Sequence, residues 1–112
     1  MYQDEVVLCA ASAYEEKYYL NEDFNGLPDQ VKDELRIMCT LFTADVGGIL
    51  QMIFAEDGTL YFKTEADEAD YLYDDIGSVL KVKQYQDTKR ELLEALEMYY
   101  RVFFLGEEFE EE

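Results

Sequence analysis

The segment ILQMIFAEDGTLYFKTE, residues 49–65, decides how this chain folds. Two apolar runs flank the turn residues Glu56–Asp57–Gly58, and this arrangement predicts a β-hairpin. A two-residue turn at Asp57–Gly58 would leave both faces of the hairpin only half apolar, whereas a three-residue turn with a left-handed Gly58 separates the two faces. We therefore expect the three-residue turn, which places these apolar side chains on one face: Leu50, Met52, Phe54, Leu60 and Phe62.

The apolar face of this hairpin needs a partner, because an isolated two-stranded hairpin is only marginally stable in water. Apolar residues at spacings of three and four, on both sides of the hairpin, are typical of amphipathic helices. We expect helices over residues 4–20, 28–45, 68–83 and 87–105. The predicted fold class is therefore α+β and mostly helical, of order α-α-β-β-α-α, with one β-hairpin packed on a helical layer.

Capping residues indicate where the predicted helices begin and end. Pro28 suits the start of the second helix, and Asp67 is the expected N-cap of the third. Thr88 and Glu91 have the spacing of a capping box for the fourth helix, and Gly106 is its expected C-cap. No glycine or proline separates the third helix from the fourth, so the sequence leaves open whether they form one rod.

Length and charge limit the domain count and the partners. At 112 residues and 13.2 kDa, the chain fits a single α+β domain, residues 1–106, followed by an acidic C-terminal tail, residues 107–112. Its 27 acidic and 9 basic side chains give a formal charge of −18. Such a field repels phosphate backbones and anionic lipid surfaces, so we expect no nucleic-acid partner and no membrane association.

Missing residue types narrow the chemistry. The chain has no histidine, which is the commonest general base, and it has neither a Walker loop nor a G-x-G-x-x-G loop. Two cysteines without histidine do not make a structural zinc site. We therefore expect a protein that is not an enzyme and has no catalytic residue, cofactor or metal site.

The compartment is predicted from the N-terminal segment and the cysteines. Residues 6–14 resemble the core of a signal peptide, but acids precede them where a signal needs positive charge. We expect a cytoplasmic protein. Cys9 and Cys39 are then expected to be reduced and buried, and a disulfide between them would require Cα atoms within about 7 Å.

The densest charge feature is EADEADYLYDD, residues 65–75, with six acids and no base. One explanation is structural: acids at a helix start interact favourably with the helix dipole, and the others lie on a solvated face. The functional alternatives are recognition of a basic partner and weak binding of a divalent cation. Ten tyrosines accompany it, and tyrosines at the border of a core suit protein interfaces. The candidate interaction surface comprises Tyr19, Asp67, Asp70, Tyr71, Asp74, Asp75 and Tyr100.

A basic island follows the acidic cluster. Four of the nine basic residues belong to it: Lys81, Lys83, Lys89 and Arg90. The simpler interpretation is charge compensation, in which these side chains pair with acids of the same domain or of a second copy. The alternative is a contact with an anion or with an acidic protein.

Three stretches resemble a known group of proteins: VLCAASAYEEKYYL, LPDQVKDELRIMCTLFTADVGGI and YYRVFFLGEEF. They are similar to an uncharacterised family of short acidic proteins from anaerobic Gram-positive bacteria, over nearly the whole chain. The resemblance implies a bacterial, cytoplasmic, stand-alone domain. It implies no activity, cofactor or site residue.

The leading functional hypothesis is a non-enzymatic interaction or regulatory module. It would present an acidic, tyrosine-bearing surface to another protein. A basic protein is the best electrostatic match for that surface. One alternative is a self-associating structural homodimer, whose candidate residues are Ile53, Tyr61, Phe104 and Phe109. A further alternative is a weak divalent-cation binder or a small carboxylate-based enzyme that uses Asp67, Asp70, Asp74 or Asp75.

Overall fold

The computed structural model of the protein describes residues 5–107, which form one four-stranded sheet and three α-helices. The elements, in chain order, are β1 (Val6–Ser12), β2 (Lys17–Leu20), a short 3-10 helix (Glu22–Phe24), α1 (Asp29–Val46), β3 (Ile49–Phe54), β4 (Leu60–Glu65), α2 (Asp75–Thr88) and α3 (Arg90–Phe103). The strand order in the sheet is β2-β1-β3-β4, and every neighbouring pair is antiparallel.

The helices cover one face of this sheet. α1 packs on β1, β2 and β3, and α3 packs near β4. α2 lies antiparallel to α1, because the Tyr85 hydroxyl donates to the Met38 carbonyl at 2.9 Å and Lys89 pairs with Glu34 at 2.8 Å. The core between the two layers consists of Leu8, Cys9, Ala11, Phe24, Leu27, Leu35, Met38, Cys39, Phe42, Val46, Leu50, Met52, Phe54, Leu60, Tyr85, Leu96 and Tyr100.

Four aromatic rings hold the end of α3 against the sheet, and we call them the aromatic cluster: Phe24, Phe54, Tyr100 and Phe104. The ring of Phe54 stacks on Tyr100 with centroids 4.2 Å apart. Phe24 stacks on Phe104 with centroids 4.7 Å apart. Stacked pairs contribute about 0.5–1.5 kcal/mol beyond their area burial. This cluster therefore fixes the C-terminal part of α3 on the sheet.

The predicted hairpin and its register are confirmed. β3 and β4 pair with Met52 opposite Phe62, as the three-residue turn requires. Gly58 has φ +93°, and the Thr59 N–H donates to the Asp57 carboxylate at 2.9 Å. The predicted second helix is also confirmed, because α1 differs from it by one residue at each end.

The prediction of a helix over residues 4–20 is wrong. These residues form β1 and β2, a second hairpin that pairs with β3 through β1. The predicted order α-α-β-β-α-α, with one hairpin on a helical layer, is therefore wrong as well. The order of strands and α-helices is β-β-α-β-β-α-α, and the sheet contains both hairpins.

A β-bulge explains this error. The register of β1 against β3 shifts between Val7 and Cys9. The shift buries Leu8 and Cys9 in succession and then Ala11, so the apolar residues lose the two-residue period of a strand and imitate helical spacing. Pairing with β3 then outweighs the helix propensity of the alanine-rich centre.

The third predicted helix begins later than expected. α2 starts at Asp75, and residues 66–74 form a loop. The N-cap is Asp74, whose carboxylate accepts the Gly77 N–H at 2.8 Å, so the prediction of Asp67 as the cap is wrong. Both aspartates suit a helix start, and contacts between the loop and the rest of the fold favour the later one.

α2 and α3 are separate helices, a point that the sequence leaves open. α2 ends at Thr88, and Lys89 has φ −110° and ψ +21°, outside helical values. The Thr88 hydroxyl donates to the Gln84 carbonyl at 2.9 Å. The predicted capping box of Thr88 and Glu91 is therefore wrong, since α3 has no side-chain cap at its N-terminus.

The C-terminal end of α3 also differs from the prediction. α3 ends at Phe103 with Phe104 as its C-cap, whereas Gly106, the predicted cap, lies beyond it with φ +74°. The Glu107 N–H donates back to the Arg101 carbonyl at 2.9 Å. Of the predicted acidic tail, residues 108–112 lie outside the described residues.

Both cysteines are free and fully buried, as predicted. The Sγ atoms of Cys9 and Cys39 lie 3.7 Å apart, and the Cys39 Sγ lies 3.8 Å from the Met52 Sδ. A hydrogen bond with Cys9, together with burial, raises the pKa of the Cys39 thiol. These residues act as small apolar groups that join β1, β3 and α1.

Candidate functional site

The loop of residues 66–74 and its two ends form the candidate site. An open hollow of about 360 Å³ lies here. Five carboxylates line it, and we call it the acidic hollow: Glu65, Asp67, Glu68, Asp70 and Asp75. Because β4 ends at Glu65 and α2 begins at Asp75, acids that a helix would have spread around its circumference are gathered in one loop.

Tyr14, in the turn between β1 and β2, anchors the middle of this loop. Its hydroxyl donates to the Asp70 carboxylate at 2.6 Å and accepts the Asp67 N–H at 2.9 Å. The hydrogen bond to Asp70 raises the pKa of Tyr14, because an ionised phenol would stand beside a carboxylate. The sequence gives no sign of this role, since Tyr14 and Asp70 are 56 residues apart and the fold alone brings them together.

The C-terminal end of the loop is fixed by Tyr73 and Asp74. The Tyr73 hydroxyl donates to the buried Ser78 hydroxyl at 2.9 Å, and the Asp74 N–H donates to the Val46 carbonyl at 3.1 Å. The Tyr73 ring lies against Gly48, where an added Cβ would come within 2.6 Å of the ring. The loop is therefore held both in its middle and at this end.

α2 carries apolar side chains on its solvent side as well as on its packed side. Ile76, Val79 and Leu80 are 75%, 55% and 60% exposed, and we call these three residues the α2 outer face. In the preceding loop, Leu72 is 92% exposed and Tyr71 is equally open. The α2 outer face is therefore an exposed apolar patch next to the acidic hollow.

Three of the four residues of the basic island pair with acids outside the acidic hollow, and within residues 5–107 no ion pair is recorded for Lys83. The ion pairs of the island are Lys81 with Asp45, Lys89 with Glu34 at 2.8 Å and Arg90 with Asp87 at 3.1 Å. The hydrogen bond to Asp45 raises the pKa of Lys81. These contacts fit the charge-compensation interpretation, and none of them uses a carboxylate of the acidic hollow.

The structure separates the predicted surface residues into three groups. The loop and its junction with α2 bring together Asp67, Asp70, Tyr71, Asp74 and Asp75. Tyr19 lies on β2, on the sheet face opposite to the helices, and its side chain is exposed. Tyr100 is 3% exposed within the aromatic cluster, so it does not belong to any exposed surface.

Two of the residues suggested for a homodimer lie together, because Ile53 on β3 is directly opposite Tyr61 on β4, and Phe104 lies apart from them. Ile53 is buried, and Tyr61 is half-buried with its hydroxyl bonded to Glu5 at 2.8 Å. Phe104 belongs to the aromatic cluster. Phe109 lies outside the described residues.

A second hollow, of about 420 Å³, lies between the β1–β2 hairpin and α1. The sequence does not predict this hollow, because the apolar residues of the β1–β2 segment have the spacing of a helix. Tyr18 forms part of its wall, and the Tyr18 hydroxyl is buried without a hydrogen-bond partner among the described residues. Thr40 and Thr43 also line it, but their hydroxyls donate to carbonyls of α1. Glu16 and Lys17 supply the charged groups of this hollow.

The acidic hollow is suited to attracting cationic side chains. Carboxylates bind Lys and Arg through charge-assisted hydrogen bonds, which are stronger than neutral ones. Within residues 5–107, no group of three or more His, Cys, Asp and Glu is placed to hold a metal ion. Within the same residues, no helix is long and apolar enough to cross a membrane.

Comparison with known proteins identifies a family but no activity. The sequence model of a family of unknown function, DUF6145, matches residues 5–108, and the chain belongs to this family. No curated protein matches the chain, and no solved structure matches it either. The expectation of an uncharacterised family is confirmed.

Proposed function

We propose that this member of the DUF6145 family is a non-enzymatic interaction module, and that it binds another protein through loop 66–74 and the α2 outer face. The partner segment is basic and partly apolar. The observation that supports this most is the adjacency of two features, since three exposed apolar side chains directly follow the carboxylates of the acidic hollow. We further propose that the protein is bacterial and cytoplasmic, as the family resemblance implies.

The apolar part of the surface supplies the driving force for binding. Fully burying one Ile, Val or Leu side chain stabilises a complex by about 1.5–3 kcal/mol before the costs of association. Ile76 and Leu80 are four residues apart, so they stand on the same side of α2. Leu72, in the loop that leads into α2, adds another exposed apolar side chain for contact with a partner.

The acidic part supplies specificity and orientation. Within the described residues, the ion pair recorded for the hollow is a long one, between Glu65 and Lys63 at 3.9 Å. A Lys or Arg of a partner can therefore bind these carboxylates without first breaking a short ion pair within the chain. Complementary charge of this kind raises the association rate and fixes the orientation of the partner.

The anchoring of the loop lowers the cost of binding. Tyr14 holds Asp67 and Asp70, and Tyr73 and Asp74 hold the end that leads into α2. A loop already ordered in the free protein loses less conformational entropy when a partner binds. The surface is thus rigid enough to select one partner geometry.

The test uses the full chain as bait in lysate of the native host, with variants that separate the two parts of the surface. Ile76→Ser with Leu80→Ser removes the apolar part, and Asp67→Asn with Glu68→Gln removes charge from the hollow. Met98→Ser, at a half-exposed apolar position on α3, is the matched control.

We expect one captured protein with a basic binding segment, whose recovery falls about tenfold with either pair of substitutions and falls further as NaCl is raised. The control variant should capture it as the wild type does. Capture that both pairs leave unchanged, or a partner indifferent to salt, would contradict the proposal.

A further inference from the structure

The sheet has a second face, which no helix of the described residues covers. Side chains alternate across a strand, and the helices cover the face that carries Leu50 and Met52. The opposite face, which we call the open sheet face, is crossed by rows of directly opposed residues. One row runs from Lys17 on β2 to Glu65 on β4. The next row runs from Tyr19 on β2 to Lys63 on β4.

The charge on this face is balanced, although the whole chain carries −18. Its positive residues are Lys17 and Lys63. Its negative residues are Glu65 and, at the border, Glu5, which accepts a hydrogen bond from the Tyr61 hydroxyl at 2.8 Å. Two strongly acidic molecules therefore repel each other less across this face than across the acidic helical side.

The order of charges along the rows makes the face complementary to itself. A two-fold axis parallel to the strands lays β2 of one copy over β4 of the other, and each row over the same row. Lys17 then faces the partner's Glu65, and Tyr19 faces the partner's Lys63. Symmetry forms each contact twice. The first contact is an ion pair, and the second places an ammonium group against an aromatic ring.

The centre of the face permits close approach. The central residues are Ala10 and Gln51 in the second row and Ser12 and Ile49 in the first. The two-fold axis places each small side chain under a larger one, Ala10 under the partner's Gln51 and Ser12 under the partner's Ile49, so two such faces can reach the spacing of about 10 Å that is usual for packed sheets. Packed sheets keep their strand directions within about 30° of each other, which preserves the row-on-row contacts near the axis.

We propose that a second copy of this chain covers the open sheet face, in a back-to-back dimer with its two-fold axis parallel to the strands. Four strands spaced about 4.8 Å apart and about six residues long give a flat area of about 400 Å² per copy. Stable interfaces bury about 800 Å² per partner. The dimer is therefore weak, with a dissociation constant between roughly 10 μM and 1 mM.

The test is sedimentation equilibrium of the full chain over this concentration range, at about 0.15 M NaCl, where long-range repulsion is screened. We expect the average mass to rise from 13.2 kDa towards twice that value. Lys17→Glu should weaken the dimer about tenfold, because it replaces two attractive pairs by two repulsive ones. Glu65→Lys should do the same, and the double swap should restore the dimer to within about threefold of the wild type.

Lys83→Glu is the matched control, since it changes the net charge by the same amount from an exposed position on α2. It should shift the dissociation constant by less than about threefold. A mass that stays at 13.2 kDa up to about 1 mM would overturn the proposal. A dimer that responds equally to Lys17→Glu and Lys83→Glu, or that the double swap does not restore, would also overturn it. The dimer shares Glu65 with the acidic hollow but otherwise uses a different surface from loop 66–74, and Lys17→Glu changes the dimer contact without changing the hollow, so either proposal can fail without the other.

Discussion

The aromatic cluster and the α2 outer face place similar side chains in opposite environments. Phe24 and Phe54 are fully buried between the sheet and α3. Ile76 and Leu80 occupy the solvent side of α2, although they are as apolar as core residues. A residue type therefore does not show whether a position is buried in the core or exposed on the surface. Substitutions in the two regions should separate stability from binding.

The largest effect is expected in the aromatic cluster. Phe54→Ala removes a fully buried ring that stacks on Tyr100 at 4.2 Å. The free energy of unfolding should fall by about 3–5 kcal/mol, through lost burial and the cavity that remains. Denaturant unfolding followed by circular dichroism measures it. A loss under about 1 kcal/mol would mean that the cluster does not hold α3 to the sheet.

The next largest effect is expected where the loop is anchored. In Gly48→Ala, a Cβ at φ +72° would lie 2.5 Å from the Glu65 carbonyl oxygen and 2.6 Å from the Tyr73 ring. Crowding and backbone strain together should cost about 2–4 kcal/mol of unfolding free energy.

Gly106→Ala is the control for that substitution, because Gly106 has a similar φ of +74° with open space around it. It isolates the backbone strain and should cost only about 1 kcal/mol. Equal losses in the two variants would show that the contact between Gly48 and Tyr73 does not anchor the loop.

The α2 outer face should respond weakly in the same unfolding assay. Ile76→Ser and Leu80→Ser should each change the unfolding free energy by less than about 0.7 kcal/mol, because the side chains are mostly exposed and only helix propensity changes. Both variants should nevertheless lose the binding partner. A destabilisation above about 2 kcal/mol would contradict the account, because it would place these residues in the core of the protein.

The smallest effect is expected from the solvent, through the charge that surrounds both regions. With a formal charge of −18, screening by NaCl should raise the melting temperature at pH 7 by a few degrees. A melting temperature that falls as NaCl increases from low to moderate concentration would contradict this expectation.

Acid should act in two steps. Partial protonation of crowded carboxylates at moderately low pH should first relieve repulsion. The hydrogen bonds from Thr59 lower the pKa of Asp57, so the stability that this carboxylate provides is present above its unfolded-state pKa. That stability is then lost as the pH falls through the lowered folded-state pKa. Asp57→Asn should weaken this second step in a melting series against pH.

The sequence predicts those elements whose signals are local. The β3–β4 turn follows from Glu56–Asp57–Gly58 and from one clean apolar face, and α1 follows from Pro28 and its apolar stripe. β1 escapes prediction because its bulge at Leu8 removes the alternation that would mark a strand. The alanine-rich centre of β1 favours a helix, and only the pairing with β3, which the local sequence does not show, makes this segment a strand.

The candidate site likewise has residues that the sequence predicts and residues that it does not. Its carboxylates belong to a segment with six acids and no base, so the sequence predicts Asp67, Asp70 and Asp75 as candidate residues. The role of Tyr14 could not be predicted, because its contacts with the loop depend on a hairpin that the sequence pattern hides. The α2 outer face belongs to the apolar spacing that predicts the helix over residues 68–83, and such spacing is typical of a buried side, whereas these side chains are exposed.

Photo-crosslinking tests the central claim, that loop 66–74 and the α2 outer face form one docking surface, most directly. The photoreactive residue benzoylphenylalanine replaces Leu80 in one variant and Met98 on α3 in another, and both are irradiated in cells of the native host. The account predicts an adduct with a basic protein from position 80 and none from position 98. It also predicts that Asp67→Asn with Glu68→Gln removes the adduct. No adduct from position 80, or equal labelling from both positions, would contradict the claim.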